Sequence, residues 1–218
     1  MILVSVKTGK ENNANLLKIG LSDGSSYTLK NFYLNYFRKI PEQDENSGDG
    51  FPDMEEGRDI TEQDEEAFRF ASSCYKAEKA GMRLIARAEQ TTSGLARKLE
   101  AKGHGHACVS AAVEWFIKSD LINDERFSES WIRSRLSRKS GKVSGPAKLS
   151  AALKNRGIRN DAIKNALGKI LDEETEFTLL ENFMKKNKAT GSWSLRSRLK
   201  YEGFSSTAIN RYLEEILS

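Results

Sequence analysis

The 218 residues are 38% hydrophobic and 30% charged, with a net charge of +4, two histidines and two cysteines. That length suffices for one or two domains with cores of their own. Two cysteines make no disulfide framework, and two histidines leave little from which to assemble a nucleophile–histidine–carboxylate set. No apolar run is long enough to span a bilayer, and the apolar stretch in MILVSVKTGK is too short for a signal peptide, so a cytoplasmic protein is expected.

In chain order, ILVSV, LLKIGL and SSYTL read as short strands separated by turn residues, and SDGS at 22–25 is a hairpin signal because Asp-Gly favours tight turns. A small β-rich segment is expected over 1–40, its strands confined to about 1–30, with Phe32, Tyr33, Tyr36 and Phe37 on a following helix or turn. Residues 41–66 then hold twelve Asp/Glu against Arg58 alone. Such a stretch buries too little apolar surface to repay ordering, so 41–66 is expected to be mobile, with 41–61 read as an acidic linker. The sharper alternative is a segment that mimics nucleic acid and masks a basic surface.

From residue 62 onward the pattern is helical and repeated. Gly103, Gly157 and Gly203 end the strings LEAKG, LKNRG and LKYEG. Leu99, Leu153 and Leu199 stand four residues before them, and Leu95, Leu149 and Leu195 eight before, which places leucines on one helical face. A glycine just past such a face suits the left-handed residue that ends a helix. Five and six residues later come Cys108-Val109, Ala162-Ile163 and Ala208-Ile209, the start of a second apolar face. Each pair is preceded by a further helical pattern, over 62–90, over 124–139 with Phe127 and Trp131, and over 172–188 with Phe177, Leu180, Phe183 and Met184. The expectation is a mainly α protein: three three-helix units over 62–120, 121–171 and 172–218, forming an elongated, curved tandem repeat with a small N-terminal β-structure.

Catalytic and metal chemistry find little material. His104, His106 and Cys108 form H-x-H-x-C, but a zinc site needs three or four ligands in fixed geometry, and no second cluster exists. His104 occupies the repeat position of Ile158 and Phe204, which points to packing, and His106 that of Asn160 and Ser206, candidate helix caps. SGKVSG at 140–145 lacks the first glycine of a phosphate loop, since position 136 is Leu136. It reads as a loop before Pro146, which can open a helix. No cofactor, metal or catalytic residue is expected, and Glu55-Glu56 lie in the acidic stretch, where nothing would tune them for catalysis.

The strongest chemical signal is basic. Residues 126–169 hold twelve Lys/Arg against Glu129 and Asp161. Arg133, Arg135, Arg138, Lys139, Lys142, Lys148, Lys154, Arg156 and Arg159 are therefore the candidate polyanion-binding set, because cations so placed neutralise phosphates and release counterions. Helical spacing puts Lys148 with Arg156 on one face, and Arg135 with Lys139 on another. Trp131 is read as core, and Trp193 as the better candidate for stacking on bases.

LINDERFSESWIRSRLSRK and GPAKLSAALKNRGI, within 121–158, resemble the RecX family of regulatory proteins, modulators of the RecA recombinase. The resemblance rests on Asp124, Phe127 and Arg135, on Gly145-Pro146-Ala147-Lys148-Leu149, and on Leu153 and Gly157-Ile158. RLIARAEQTTSGLARKLEAKG at 83–103 is similar to the family's first-unit pattern. The likeness covers roughly 62–218, while the β-rich start and acidic stretch lie outside it and SGKVSG is longer than the family's usual connection. It implies a non-enzymatic helical repeat, expected as a monomer, that lies in the groove of the RecA filament on single-stranded DNA and inhibits ATP hydrolysis, strand exchange and co-protease action. Double-stranded DNA is a further expected partner. Two alternatives stay open: a basic helical-repeat DNA-binding protein acting without RecA, and a scaffold whose basic face meets an acidic protein.

Overall fold

Alternating apolar residues form the first layer. The computed structural model describes residues 1–8, 16–38, 54–137, 144–187 and 195–217. Strands β1 (Leu3–Thr8), β2 (Leu16–Leu21) and β3 (Ser26–Lys30) make an antiparallel sheet in the order β1-β2-β3. Leu3 pairs with Leu21 and Leu17 with Leu29, so the fully buried leucines share one face of the sheet. Helix α1 (Asn31–Arg38) follows directly, and Tyr33 and Leu34 bury its inner face.

The expected linker over 41–61 is not free at its C-terminal end. Leu3 N–H donates to the Arg58 carbonyl at 2.9 Å, Gly57 N–H to Leu3 O at 2.8 Å, and Ile60 N–H to Met1 O at 2.7 Å. Ile60 is buried, so this piece docks beside β1 and supplies an apolar anchor that the like-charged composition concealed. Residues 41–53 lie outside the described residues. Glu62, Asp64 and Glu65 are not linker either. They form the first turn of α2 (Glu62–Ile85), where negative charge faces the positive end of the helix dipole. Thr61 and Asp64 close that turn as a capping box.

Helices α3 (Thr92–Glu100), α4 (His106–Lys118), α5 (Asp124–Leu136), α6 (Pro146–Lys154), α7 (Asn160–Ile170), α8 (Glu173–Lys186), α9 (Leu195–Tyr201) and α10 (Ser206–Leu217) complete the described chain. No strand lies beyond Lys30 among the described residues. Two compact units result: Met1–Glu89 with Leu95–Ile122, and Gln90–Gly94 with Asn123–Ser218.

The three repeated glycines end helices in the same way. Gly103, Gly157 and Gly203 have φ of 86°, 80° and 90°. The next residue donates back to the leucine five positions earlier: His104 to Leu99, Ile158 to Leu153 and Phe204 to Leu199. This is the left-handed helix end that the leucine–glycine spacing predicts, and all three leucines are fully buried. The caps of the following helices fall one residue earlier than expected, at Gly105, Arg159 and Ser205. His106 is therefore the first helical residue of α4 and pairs with Glu100 at 2.7 Å.

In the first unit a cluster of Ala77, Leu95, Leu99, Val109, Ala112, Phe116 and Ile122 packs α2, α3 and α4. Cys108 is buried against α2, its thiol 3.8 Å from the Phe70 carbonyl oxygen. In the second unit Ile132, Leu149, Leu153, Ile158, Ile163 and Ala166 bind α5–α7. Leu180, Phe183, Leu199, Phe204, Ala208 and Ile209 bind α8–α10. These two clusters meet backbone to backbone. Gly145 N–H donates to Glu202 O at 2.9 Å, and Ala147 N–H to Gly203 O at 3.0 Å. A Cβ on Gly145 would fall 2.3 Å from the Gly203 carbonyl, so a glycine is required there for close approach. Gly145 is also the residue before α6, with Pro146 as its first helical position.

Candidate nucleic-acid interface

Helix α5 starts cleanly because Asn123 Oδ1 accepts from the Glu125 and Arg126 N–H groups, both at 3.0 Å. The residues it buries are Ser128 and Ile132, whereas Phe127 and Trp131, expected as its core stripe, are only half-buried. Trp131 thus sits at the margin of the α5–α7 core with part of its ring toward solvent. The reading of Trp131 as plain core is corrected on this point.

Two arginines converge on that ring. The guanidinium carbon of Arg135, one turn along α5, lies 4.9 Å from the ring centre, and that of Arg156 lies 4.7 Å from it. Such placements favour the flat, weakly hydrated guanidinium. Arg156 lies beyond the end of α6, so helical spacing from Lys148 does not set its direction. The α6–α7 turn does that, with Arg156 Nη1 donating to the Ala152 carbonyl at 2.5 Å. Next to this pair is a groove of about 240 Å³, lined by Trp131, Arg135, Leu136, Ser144, Lys148, Leu149 and Ala152.

The basic run divides once its partners are known. Lys148 Nζ donates to Glu202 at 2.8 Å and lies 4.4 Å from the centre of the Tyr201 ring. Arg159 pairs with Asp161 at 2.5 Å, and the guanidinium holds that carboxyl below the usual carboxylate range. Arg133 lies 3.6 Å from Glu129. Lys169 reaches Glu125 at 2.5 Å and Glu129 at 3.0 Å, and its hydrogen bond, with that of Asn165, holds the Glu125 carboxyl low. Arg135, Lys154 and Arg156 have no carboxylate partner among the described residues. Arg138, Lys139, Lys142 and Trp193 lie outside the described residues. The nine candidates are therefore not one uniform face. Among the described residues three of them, Arg135, Lys154 and Arg156, have no carboxylate partner, and one indole holds two of these.

Two residues belong here that the sequence reading placed elsewhere or passed over. Trp131 is the platform for the arginines. Tyr201, at the end of α9, is 66% exposed and brought beside Lys148 by the Gly145–Gly203 contact. The hint for Tyr201 is its place in LKYEG, where the other two copies carry Ala101 and Asn155.

Among the described residues no three His, Cys, Asp or Glu side chains gather as a metal site requires. No helix among them is long and apolar enough to cross a membrane. Fold and side-chain inventory together define a mainly α-helical protein with a small antiparallel sheet and a basic, aromatic-edged groove. Residues 123–167 match the family model described as RecX, second three-helix domain. The regulatory protein RecX of Treponema pallidum (strain Nichols) is 29% identical over 146 residues, covering 66% of this chain and 87% of that protein. That of Halorhodospira halophila is 34% identical over 88 residues, covering 40% and 52%. A crystal structure of regulatory protein RecX superposes with a TM-score of 0.65 at 18% identity, covering 96% of this chain and 97% of that one. RecX from Lactobacillus salivarius gives 0.55 at 23% identity, covering 66% and 97%. The chain is thus similar to the RecX regulatory proteins, in sequence over 66% of its length and in fold over 96% of it.

Proposed function

We propose that the protein regulates RecA by binding the filament that RecA forms on single-stranded DNA, inhibiting ATP hydrolysis, strand exchange and co-protease action without chemistry of its own. The observation that carries this reading is the group of uncompensated cations Arg135, Lys154 and Arg156, two of them ordered on Trp131 within the segment that matches the family model. Cations already held in place lose little entropy on meeting a phosphate, and release of condensed counterions then drives binding. Likeness to proteins named regulatory protein RecX supports the regulatory role.

The test is RecA's DNA-dependent ATP hydrolysis with and without the full-length protein. Inhibition at stoichiometry well below that of the DNA supports filament binding. Unchanged hydrolysis despite tight binding to bare DNA would favour the alternative, a helical DNA-binding protein that acts without RecA.

A further inference from the structure

We propose that Cys74 and Cys108 are a redox-active pair, which hydrogen peroxide closes into a disulfide that locks α2 to α4. The inference is independent of the proposed function, whose cations lie in the second compact unit while both thiols lie in the first. Both cysteines are free and buried, and they share one apolar cluster with Ala67, Ala71 and Ala111. A disulfide needs Cα atoms within about 7 Å, closer than helices carrying large side chains usually approach. Alanines on both sides of the α2–α4 contact remove that obstacle. The direction of approach is also fixed. Cys108 Sγ lies 3.8 Å from the Phe70 carbonyl oxygen, and Phe70 stands one helical turn before Cys74 on α2. That carbonyl is the helical partner of the Cys74 N–H, so the Cys108 sulfur sits beside the Cys74 side chain, and the two thiols hydrogen-bond.

The pair is asymmetric. Cys108 keeps 9% of its surface open and Cys74 none. The Cys74 thiol donates to the Cys108 sulfur, which lowers the Cys108 pKa, while the same bond and burial keep Cys74 protonated. Cys108 is therefore the attacking thiolate. It takes one oxygen as the peroxide O–O bond breaks and becomes a sulfenic acid. The other oxygen leaves as hydroxide and takes up the proton that the thiol released, giving water. The Cys74 sulfur then attacks the Cys108 sulfur, forming the S–S bond and expelling a second water. Two electrons pass from the thiols to the peroxide, and a thiol reductant reverses the change. The new bond closes residues 74–108 into a loop, which constrains the unfolded chain.

The experiment treats the reduced full chain with stoichiometric hydrogen peroxide and reads intact mass, free thiols after denaturation and melting temperature. The mass should fall by two hydrogens as both thiols disappear together, with Cys74 and Cys108 joined in a non-reducing digest. The melting temperature should rise by roughly 5 °C or more and return on addition of dithiothreitol. Cys74→Ala should leave Cys108 as a sulfenic acid that dimedone traps. Cys108→Ala should leave Cys74 unreacted, and peroxide should not move its melting temperature. Alanine suits both sites, which already have alanine neighbours, and the parent's mass needs no variant to be read. Oxygen gained at either cysteine of the parent without a cross-link, a disulfide between two molecules, unreacted thiols, or a melting temperature that does not rise overturns the lock.

Discussion

Both compact units place cations on a tryptophan, and the two places have opposite characters. In the first unit Lys30 lies 3.9 Å from the Trp115 ring centre, but its ammonium also meets Glu78 at 2.5 Å. Glu78 is buried and accepts a second hydrogen bond from the Tyr33 hydroxyl at 2.8 Å. Burial and the adjacent Glu78 carboxylate push the Tyr33 phenol far above its usual range. Every charge is answered from within, so this cluster fastens β3 and α1 to α2. In the second unit Arg135 and Arg156 share Trp131 with no carboxylate partner among the described residues. Cation and ring are the same elements in both; compensation and exposure decide whether they serve the fold or an outside partner.

The largest effect that could break the comparison is in the first unit. Glu78→Ala strands Lys30 and the Tyr33 hydroxyl and should cost about 3 kcal/mol, read from urea unfolding. Arg135→Ala and Arg156→Ala should each cost less than about 1 kcal/mol. If Arg156→Ala costs as much as Glu78→Ala, the Trp131 cluster is a structural fastener and not a binding site.

Charge reversal sharpens the other side. Lys148 is a poor target, because Lys148→Glu would face Glu202 and disturb the joint with α9. Arg135→Glu, Lys154→Glu and Arg156→Glu together avoid this. The triple variant should keep its helical circular dichroism and lose inhibition of RecA. Its log–log salt slope on single strands should shrink by roughly two. A folded triple variant that inhibits at wild-type concentration would show the cations to be only a solvated surface.

Smaller shifts are expected at the compensated positions. Glu202→Gln removes a carboxylate from the groove's edge and should raise oligonucleotide affinity by roughly threefold at low salt. The Glu125–Lys169 contact clips α5 to α7, and Lys169 holds the Glu125 carboxyl below its ordinary value. A depressed carboxyl stabilises the fold above its unfolded pKa, and that contribution fades as pH falls through the folded one. The melting-temperature gap between the parent and Glu125→Gln should therefore be present at pH 7 and close below about pH 4. A gap that widens on acidification would contradict the clip.

What could be read in the sequence follows from how local the governing physics is. The strands came from alternation, and the glycine ends from a spacing contained within one turn of helix. Phe127 and Trp131 misled because four-residue spacing identifies a stripe but not its centre. Ile132 takes the centre, and the bulkier rings lie at its edge. The basic run looked uncompensated because counting stopped at its own ends. Glu202, which neutralises Lys148, is 54 residues away, and Glu125, which holds Lys169, stands just outside the counted window. Ile60 was obscured in the same way, as one apolar residue in an acidic stretch whose value depends on a strand edge nearly sixty residues earlier.

The repeated glycines differ in the substitutions they can accept. At Gly103 an added Cβ meets nothing within 4 Å, so only the left-handed backbone resists replacement. Asparagine, which visits that conformation readily, should be nearly neutral there. At Gly157 the same atom would lie 2.4 Å from the Ser93 hydroxyl, and at Gly203 it would lie 2.7 Å from the Lys148 backbone nitrogen. Asparagine satisfies the dihedral at those turns and still collides. One motif, three times repeated, should thus drift at its first copy and hold at the other two, where the glycine is also the floor on which another helix begins.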